Sequence, residues 1–498
     1  MSNAPLIVRS FRPTHVPRIA ETPAASGSPV PLLDLGRALR QQRIACCQWT
    51  GFDRPEWWAT GRGEVALLVD RVAAARFDAL AARHGFRRVV PPFGRTLPGI
   101  AEYLGTDPVT GVLLCLHVHY RLVVGRHDTA RYRLPVEQPV LAEAVRARPF
   151  PIPSPEWALI LFVLRTALRT PQPRLLPATW SGTAEALEAD VVFSRLEAAL
   201  EQHLPAVPYP CFEGCLRALI ERDDERWHRE AARLRERLAP LREGPPIAAL
   251  AAAAATRLGR LLGHRSSLAR AGNGRARGGR RLASGGVIVA LVGGAGAGKS
   301  KAAAALETWL APELSVLRIH AGRPPRSLAT LATGAALELV RRFLGPHAER
   351  SAILQRLYTL HSRCTALDRL RLCAKASRFA ARGGIVIAEQ YPLRQDTSLM
   401  DPTNAALAAA SPQWPLVRLL PRAEEDLDAR IPPPDAVVLL RVTPEVAAAR
   451  KVGADTNDAR ECDPLLADAD SNGARVVDAD RPFAEMLHEL REVVWQAL

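Results

Sequence analysis

Gly285-Gly286-Val287-Ile288-Val289-Ala290-Leu291-Val292-Gly293-Gly294-Ala295-Gly296-Ala297-Gly298-Lys299-Ser300 is the stretch whose reading decides the fold. Val287–Val292 is an unbroken apolar run, rich in β-branched residues and framed by glycine on both sides. Such a run predicts a strand buried on both faces, as in a parallel sheet. Gly293–Ser300 then fits G-x-x-x-x-G-K-[ST] at every specified position. Glycines in this pattern let backbone N–H groups turn inward around a phosphate, and a helix over Lys301–Leu310 would bring the positive end of its dipole to the same place. Lys299 would reach the outer phosphates of a nucleoside triphosphate, and Ser300 would place a hydroxyl on Mg²⁺. A glycine-rich turn that binds nothing is the alternative. Strand, loop and helix-compatible segment in the right order favour the phosphate site.

Composition narrows the remaining choices. A chain of 498 residues allows about three domains and a large core. The net charge of +15 invites a nucleic-acid partner. Lysine, however, occurs only at Lys299, Lys301, Lys375 and Lys451, and every other one of the 66 basic residues is arginine. That is a bias spread along the chain, whereas a nucleic-acid footprint gathers on one face. Lysine is kept at the end of the glycine-rich loop, where a compact ammonium is needed. The cysteines include Cys46-Cys47 and Cys211/Cys215, with no paired C-x-x-C spacing, which argues against zinc or a disulfide framework and for buried thiols in a reducing compartment. No signal-peptide core opens the chain, and Leu159–Leu168 and Ile247–Ala255 fall short of the ~20 residues a bilayer needs. The expectation is a cytoplasmic protein with no membrane partner.

Residues 1–29 are rich in Pro, Ser and Ala and read as a disordered tail. Residues 30–154 read as one α/β domain: a helix over Leu32–Gln42, strands at Ile44–Thr50, Glu64–Asp70, Phe86–Val90 and Gly111–Val124, and a helix over Arg71–His84 stopped by Gly85. A turn is expected at Asp107–Gly111. This order resembles a nucleotidyltransferase-like domain. In that family two metal-binding carboxylates stand two residues apart on a strand, so that both face one Mg²⁺. The matching positions here are Glu64 and Ala66, and Ala66 cannot ligate. The later strand, Leu114–His119, carries His117 and His119 in place of an acid. The resemblance thus implies a domain that has lost its chemistry and binds or scaffolds, with the two histidines read as a structural pair. Residues 155–263 are expected to be helical, with helices over Glu156–Leu168, Thr183–Leu204, Phe212–Leu238 and Ile247–Leu262. Residues 264–284, rich in Arg and Gly, read as a linker, a solvated hinge in preference to an electrostatic tether.

Beyond Gly285, strands at Leu314–His320, Gly384–Ala388, Ala436–Val442 and Arg475–Asp478 alternate with helices, and Pro482–Leu498 closes the chain as an amphipathic helix. A five-stranded parallel sheet with flanking helices is the expected fold. Ile319-His320-Ala321-Gly322-Arg323-Pro324-Pro325, Glu389-Gln390-Tyr391-Pro392 and Pro433-Pro434-Asp435 follow the glycine-rich loop in order, and Thr443-Pro444-Glu445 opens a helix ending at Arg450-Lys451. With these features, residues 285–498 resemble the thymidylate kinase-like branch of the P-loop (Walker A) nucleoside monophosphate kinases. The resemblance implies a P-loop NTPase fold, ATP and Mg²⁺ as cofactors, and a small-molecule phosphoryl acceptor, and it allows a homodimer.

On that resemblance Gly293, Gly294, Ala295, Gly296, Ala297, Gly298, Lys299 and Ser300 hold the donor phosphates, and Ser300 and Glu389 hold the metal. Arg323 faces the acceptor phosphate. Arg450 and Lys451, with Arg460 as a further candidate, neutralise the transferring group. The family carries Asp-Arg where this chain has Glu389-Gln390, so Gln390 supplies no cation. Acidic residues after Lys451, among them Asp455, Asp458 and Glu461, depart from a cationic lid. Two readings stay open: a phosphotransferase, or a nucleotide-binding sensor or assembly protein without turnover.

Overall fold

The structure, a computed structural model, describes residues 28–52, 58, 60–61, 63–91, 98–126, 130–168, 175–243, 279–294, 296–344, 352–392, 426–450 and 474–498. The strands in chain order are β1 (Cys46–Thr50), β2 (Glu64–Val69), β3 (Arg87–Val90), β4 (Ile100–Thr106), β5 (Leu113–His119), β6 (Leu122–Arg126), β7 (Ala130–Leu134), β8 (Arg242–Glu243), β9 (Arg281–Leu282), β10 (Val287–Val292), β11 (Val316–His320), β12 (Ile385–Glu389), β13 (Ala436–Arg441) and β14 (Arg475–Asp478). The chain divides into two compact units, and the division does not follow the sequence. Residues 85–113 belong with the C-terminal half, and residues 114–126 and 130–244 with the N-terminal part. Among the described residues, no helix is long and apolar enough to cross a membrane.

In the first unit β1 runs antiparallel to β2, and β2 runs parallel to β5. The stretch Gly111–Val124, expected as one strand, is two. The chain breaks at Tyr120-Arg121, where Arg121 pairs with Glu243 on β8 at 2.5 Å and the Leu122 N–H donates to Glu137 at 2.9 Å. β6 therefore leaves for a second, antiparallel sheet, β6-β7-β8. The helices that follow wrap an apolar core in which Trp157, Phe212 and Trp227 are fully buried. Two helices expected to be continuous are each split. Ala178–Glu188 is followed by Phe193–His203, and Tyr209–Ile220 by Asp224–Arg237. At the second break Arg222 adopts a left-handed φ of 57°, and the Asp223 carboxylate caps the next helix by accepting from the Arg226 N–H at 2.9 Å. A period of 3.6 residues continues across that corner, so periodicity alone does not reveal it.

The second unit is built on a five-stranded, all-parallel sheet in the order β11-β12-β10-β13-β14. β10 and β12 are buried along their whole length, as their continuous Val/Ile/Leu/Ala runs require between two helical layers. β10 lies at the centre. The chain first moves to one side of it, through β11 and β12, and then to the other, through β13 and β14. That reversal makes the carboxyl end of β10 a topological switch point, where open α/β sheets form their ligand crevice.

The Arg-rich stretch before β10 ends in order. β9 pairs antiparallel with β3, and Arg280 forms ion pairs with Glu102 and Glu313. β3 pairs antiparallel with β4, and the turn after β4 is the expected one: Asp107 accepts from the Thr110 hydroxyl at 2.6 Å, and Gly111 takes a φ of 68° that favours glycine. The indoles of Trp309 and Trp495, their rings 6.2 Å apart, donate to the carbonyls of Gly111 at 2.8 Å and Gly85 at 3.0 Å.

A buried acid fastens the two long helices Leu328–Leu344 and Ala352–Ala381. Asp368 accepts from the Ser327 N–H at 2.8 Å and the Thr330 hydroxyl at 2.6 Å, and it pairs with Arg371 at 3.2 Å. Burial works against its charged form, but the hydrogen bonds from Thr330, Ser327 and Arg371 outweigh it and hold the pKa below the usual carboxylate range. Asp368→Ala is expected to cost about 1–3 kcal/mol of stability, because a buried hydroxyl and an N–H lose their acceptor. Since the folded pKa is depressed, this contribution is complete above the unfolded value and fades as pH falls through the folded one. Urea unfolding of the two proteins at neutral pH and in acid should find the gap at the first and a narrowed gap at the second.

Candidate functional site

The loop after β10 is shaped by glycine where no other residue fits. Gly293, Gly296 and Gly298 have φ of 144°, 84° and 81°. A Cβ on Gly293 would lie 2.5 Å from the Leu440 carbonyl oxygen, and one on Gly296 would lie 2.8 Å from that of Ala447. The loop is thus pressed against the end of β13 on one side and against the helix Pro444–Arg450 on the other. The Ala297 N–H donates to the Gly294 carbonyl at 3.2 Å, and Gly298 then serves as N-cap of the helix Lys299–Leu310. Ala295 lies outside the described residues.

Lys299 opens that helix. Its ammonium donates to the carbonyls of Gly293 at 2.6 Å and Gly294 at 2.7 Å, so the cation is folded back over the loop. Ser300, next along, donates its hydroxyl to Glu389 Oε2 at 2.5 Å. The two residues expected to share a metal are therefore in contact across two elements. Parallel register explains why: Leu291 on β10, Glu389 on β12 and His320 on β11 stand level at the carboxyl ends of three neighbouring strands. Glu389 is only 2% exposed. A buried carboxylate needs partners, and its other oxygen accepts from Arg318 Nε at 2.9 Å.

Arg318 is the site residue that sequence reasoning missed. One signal could have found it: a lone arginine inside the apolar strand Val316-Leu317-Arg318-Ile319-His320 demands a carboxylate nearby. His320 lies beside the same acid. Burial pulls its pKa down and Glu389 pulls it back only in part, and Nδ1 accepts from the Arg323 N–H at 3.1 Å.

Arg323 follows this turn with an exposed side chain. Gln390, with a left-handed φ of 50°, packs its amide on the backbone of Gly322, where a Cβ would meet Oε1 at 2.2 Å. A neutral amide thus lies against the residue before Arg323. Arg450 ends the helix that touches Gly296, one turn past Ala447, and is exposed. Lys451 and Arg460 fall outside the described residues. Other residues quoted from the sequence make contacts within the fold. The Asp435 carboxylate accepts from the Ile288 N–H at 2.7 Å, Tyr391 is buried with its hydroxyl on the Pro432 carbonyl at 2.9 Å, and Lys301 sits 4.1 Å over the Phe483 ring.

In comparison with known proteins, the sequence matches no family model and no curated protein.

Chemically, the carboxyl end of the sheet offers a glycine-shaped loop at a helix N-terminus, a primary ammonium, a hydroxyl touching a buried carboxylate, and an arginine, Arg318, on β11. The ammonium and the loop amides are suited to a polyphosphate. The hydroxyl–carboxylate pair is a hard oxygen set of the kind Mg²⁺ takes together with phosphate oxygens.

Proposed function

We propose that residues 285–498 bind ATP and transfer its γ-phosphoryl group to a nucleotide or another small phosphorylated or hydroxylated metabolite. The observation that carries this reading is the G-x-x-x-x-G-K-[ST] loop at the switch point of the parallel sheet, with Ser300 and Glu389 in contact beside it. Lys299 would leave the carbonyls of Gly293 and Gly294 for the outer phosphates of the donor. Arg323 would hold the acceptor's phosphate, and Arg450 would meet the charge that develops on the transferring oxygens. Mg²⁺, when bound, supplies neutralisation of the donor phosphates, and Ser300 and Glu389 are the groups that would hold it. The protein's share of such chemistry is positioning and positive charge.

Gln390 favours a second reading, in which ATP is bound and nothing is transferred. The amide brings no charge to the place where the thymidylate kinase-like family uses a cation, and the packing on Gly322 leaves that position neutral. The test is ADP formation by the full chain with ATP, Mg²⁺ and a panel of nucleoside monophosphates. Acceptor-dependent ADP above a Lys299→Ala control supports transfer. Thermal protection by ATP with no acceptor dependence supports the sensor, and the absence of both results would rule out nucleotide binding.

A further inference from the structure

The first unit holds a group of side chains that the site above does not use. Glu64 stands at the start of β2, and Cys115 and His117 stand on β5. The parallel register sets Glu64 opposite Cys115 and Ala66 opposite His117, and alternation along each strand turns all four to one face. His117 Nε2 lies 3.2 Å from Glu64 Oε1, and one ligand atom from each of Glu64, Cys115 and His117 lies within 4.8 Å of the others. The thiol is buried, the imidazole is half-buried, and Glu64 opens to solvent.

We propose that Glu64, Cys115 and His117 form a Zn²⁺ site with a fourth coordination position open to water. The donor set decides the metal. Thiolate, imidazole and carboxylate are the three ligand types Zn²⁺ takes, whereas Mg²⁺ is taken by oxygen alone. The spacing agrees with the geometry. Tetrahedral ligands at about 2.0–2.3 Å from zinc stand roughly 3.3–3.8 Å from one another, so the observed separations need shifts on the order of 1 Å or less. Ala66 adds no competing ligand beside His117, and the exposure of Glu64 places the remaining position on the solvent side. Three protein ligands with an open fourth position are the pattern of a reactive zinc, whereas a structural zinc is closed by four. Binding converts the Cys115 thiol to thiolate and releases its proton to solvent. Sequence spacing did not point here, because the ligands come from two strands that are neighbours only through parallel pairing.

The test uses the full chain, stripped with chelator and titrated with Zn²⁺ against a competing chromophoric chelator, and with Co²⁺ as a spectroscopic probe. One equivalent of Zn²⁺ per chain and a thiolate-to-Co²⁺ charge-transfer band are expected. Glu64→Ala changes an exposed side chain and should weaken Zn²⁺ binding about tenfold or more, since even outer-shell partners of a zinc ligand are worth that much. Cys115→Ser should abolish the cobalt band, and Cys211→Ser, on a helix elsewhere in the unit, should leave both signals unchanged. Failure of the wild-type chain to retain zinc would overturn the proposal. So would Glu64→Ala binding as tightly as wild type, a result that does not depend on whether the Cys115 variant folds.

Discussion

Lys299→Ala is expected to reduce acceptor-dependent ADP formation by about a thousandfold or more, the effect of removing a cation from a transferring phosphoryl group. The fold should tolerate the change. The ammonium donates to the loop carbonyls of Gly293 and Gly294, and water can take its place at those carbonyls. A cost of about 1 kcal/mol corresponds to a melting point lower by roughly 2–4 °C. Steady-state ADP release and a thermal melt of the same preparation check both halves. A variant that melts as wild type and turns over as wild type would remove Lys299 from the chemistry and the proposed function with it.

Glu389→Gln should be the next most severe change, and unlike the first it should reach both function and stability. The glutamine is close to isosteric, but it carries no charge for Arg318 and turns one acceptor into a donor. Two charge-assisted contacts, with Ser300 and with Arg318, become neutral or are lost, at an expected cost of about 1–3 kcal/mol. Turnover should fall about a hundredfold, as when one electrostatic stabiliser is taken from a site. The Mg²⁺ dependence of turnover separates the two roles. If Glu389 helps to hold the metal, the variant needs more Mg²⁺ for half-maximal rate. If it only anchors Arg318, the melting point drops and the Mg²⁺ curve stays where it was.

The parallel sheet was legible because its central strands are continuous apolar runs between helical segments. Val287–Val292 and Arg475–Asp478 were bounded correctly, and the other three differ from observation by a residue or two at the ends. β4 was not read, because Glu102 and Gly105 interrupt its alternation, and its place comes from pairing with β3. β9 was hidden inside an arginine-rich stretch. Its order is tertiary, coming from the ion pairs of Arg280 with Glu102 and Glu313, which are far from it in sequence. The split helices were missed for the opposite reason: a local corner at Arg222-Asp223 leaves the periodic pattern undisturbed.

The same division runs through the site. Lys299, Ser300 and Glu389 could be named because a motif and a strand end fix them. Arg318 was missed: its place in an apolar strand signals a buried partner, but which acid that is depends on the strand that lies beside β11. The residues proposed to hold zinc were out of reach in the same way. His117 was noticed with His119, its neighbour on the face, whereas Glu64, 3.2 Å away, stands on the adjoining strand β2.

The indole contacts of Trp309 and Trp495 bear on how this protein can be cut. A fragment beginning at Gly285 looks like a natural piece, since it starts at the first strand of the parallel sheet. It would strip both indole N–H groups of the carbonyls of Gly111 and Gly85 and would discard β9, whose Leu282 N–H donates to the Gly383 carbonyl at 2.8 Å. The second unit is therefore discontinuous in sequence, and a shortened chain that begins at Gly285 is expected to melt lower than the full chain for want of these three contacts.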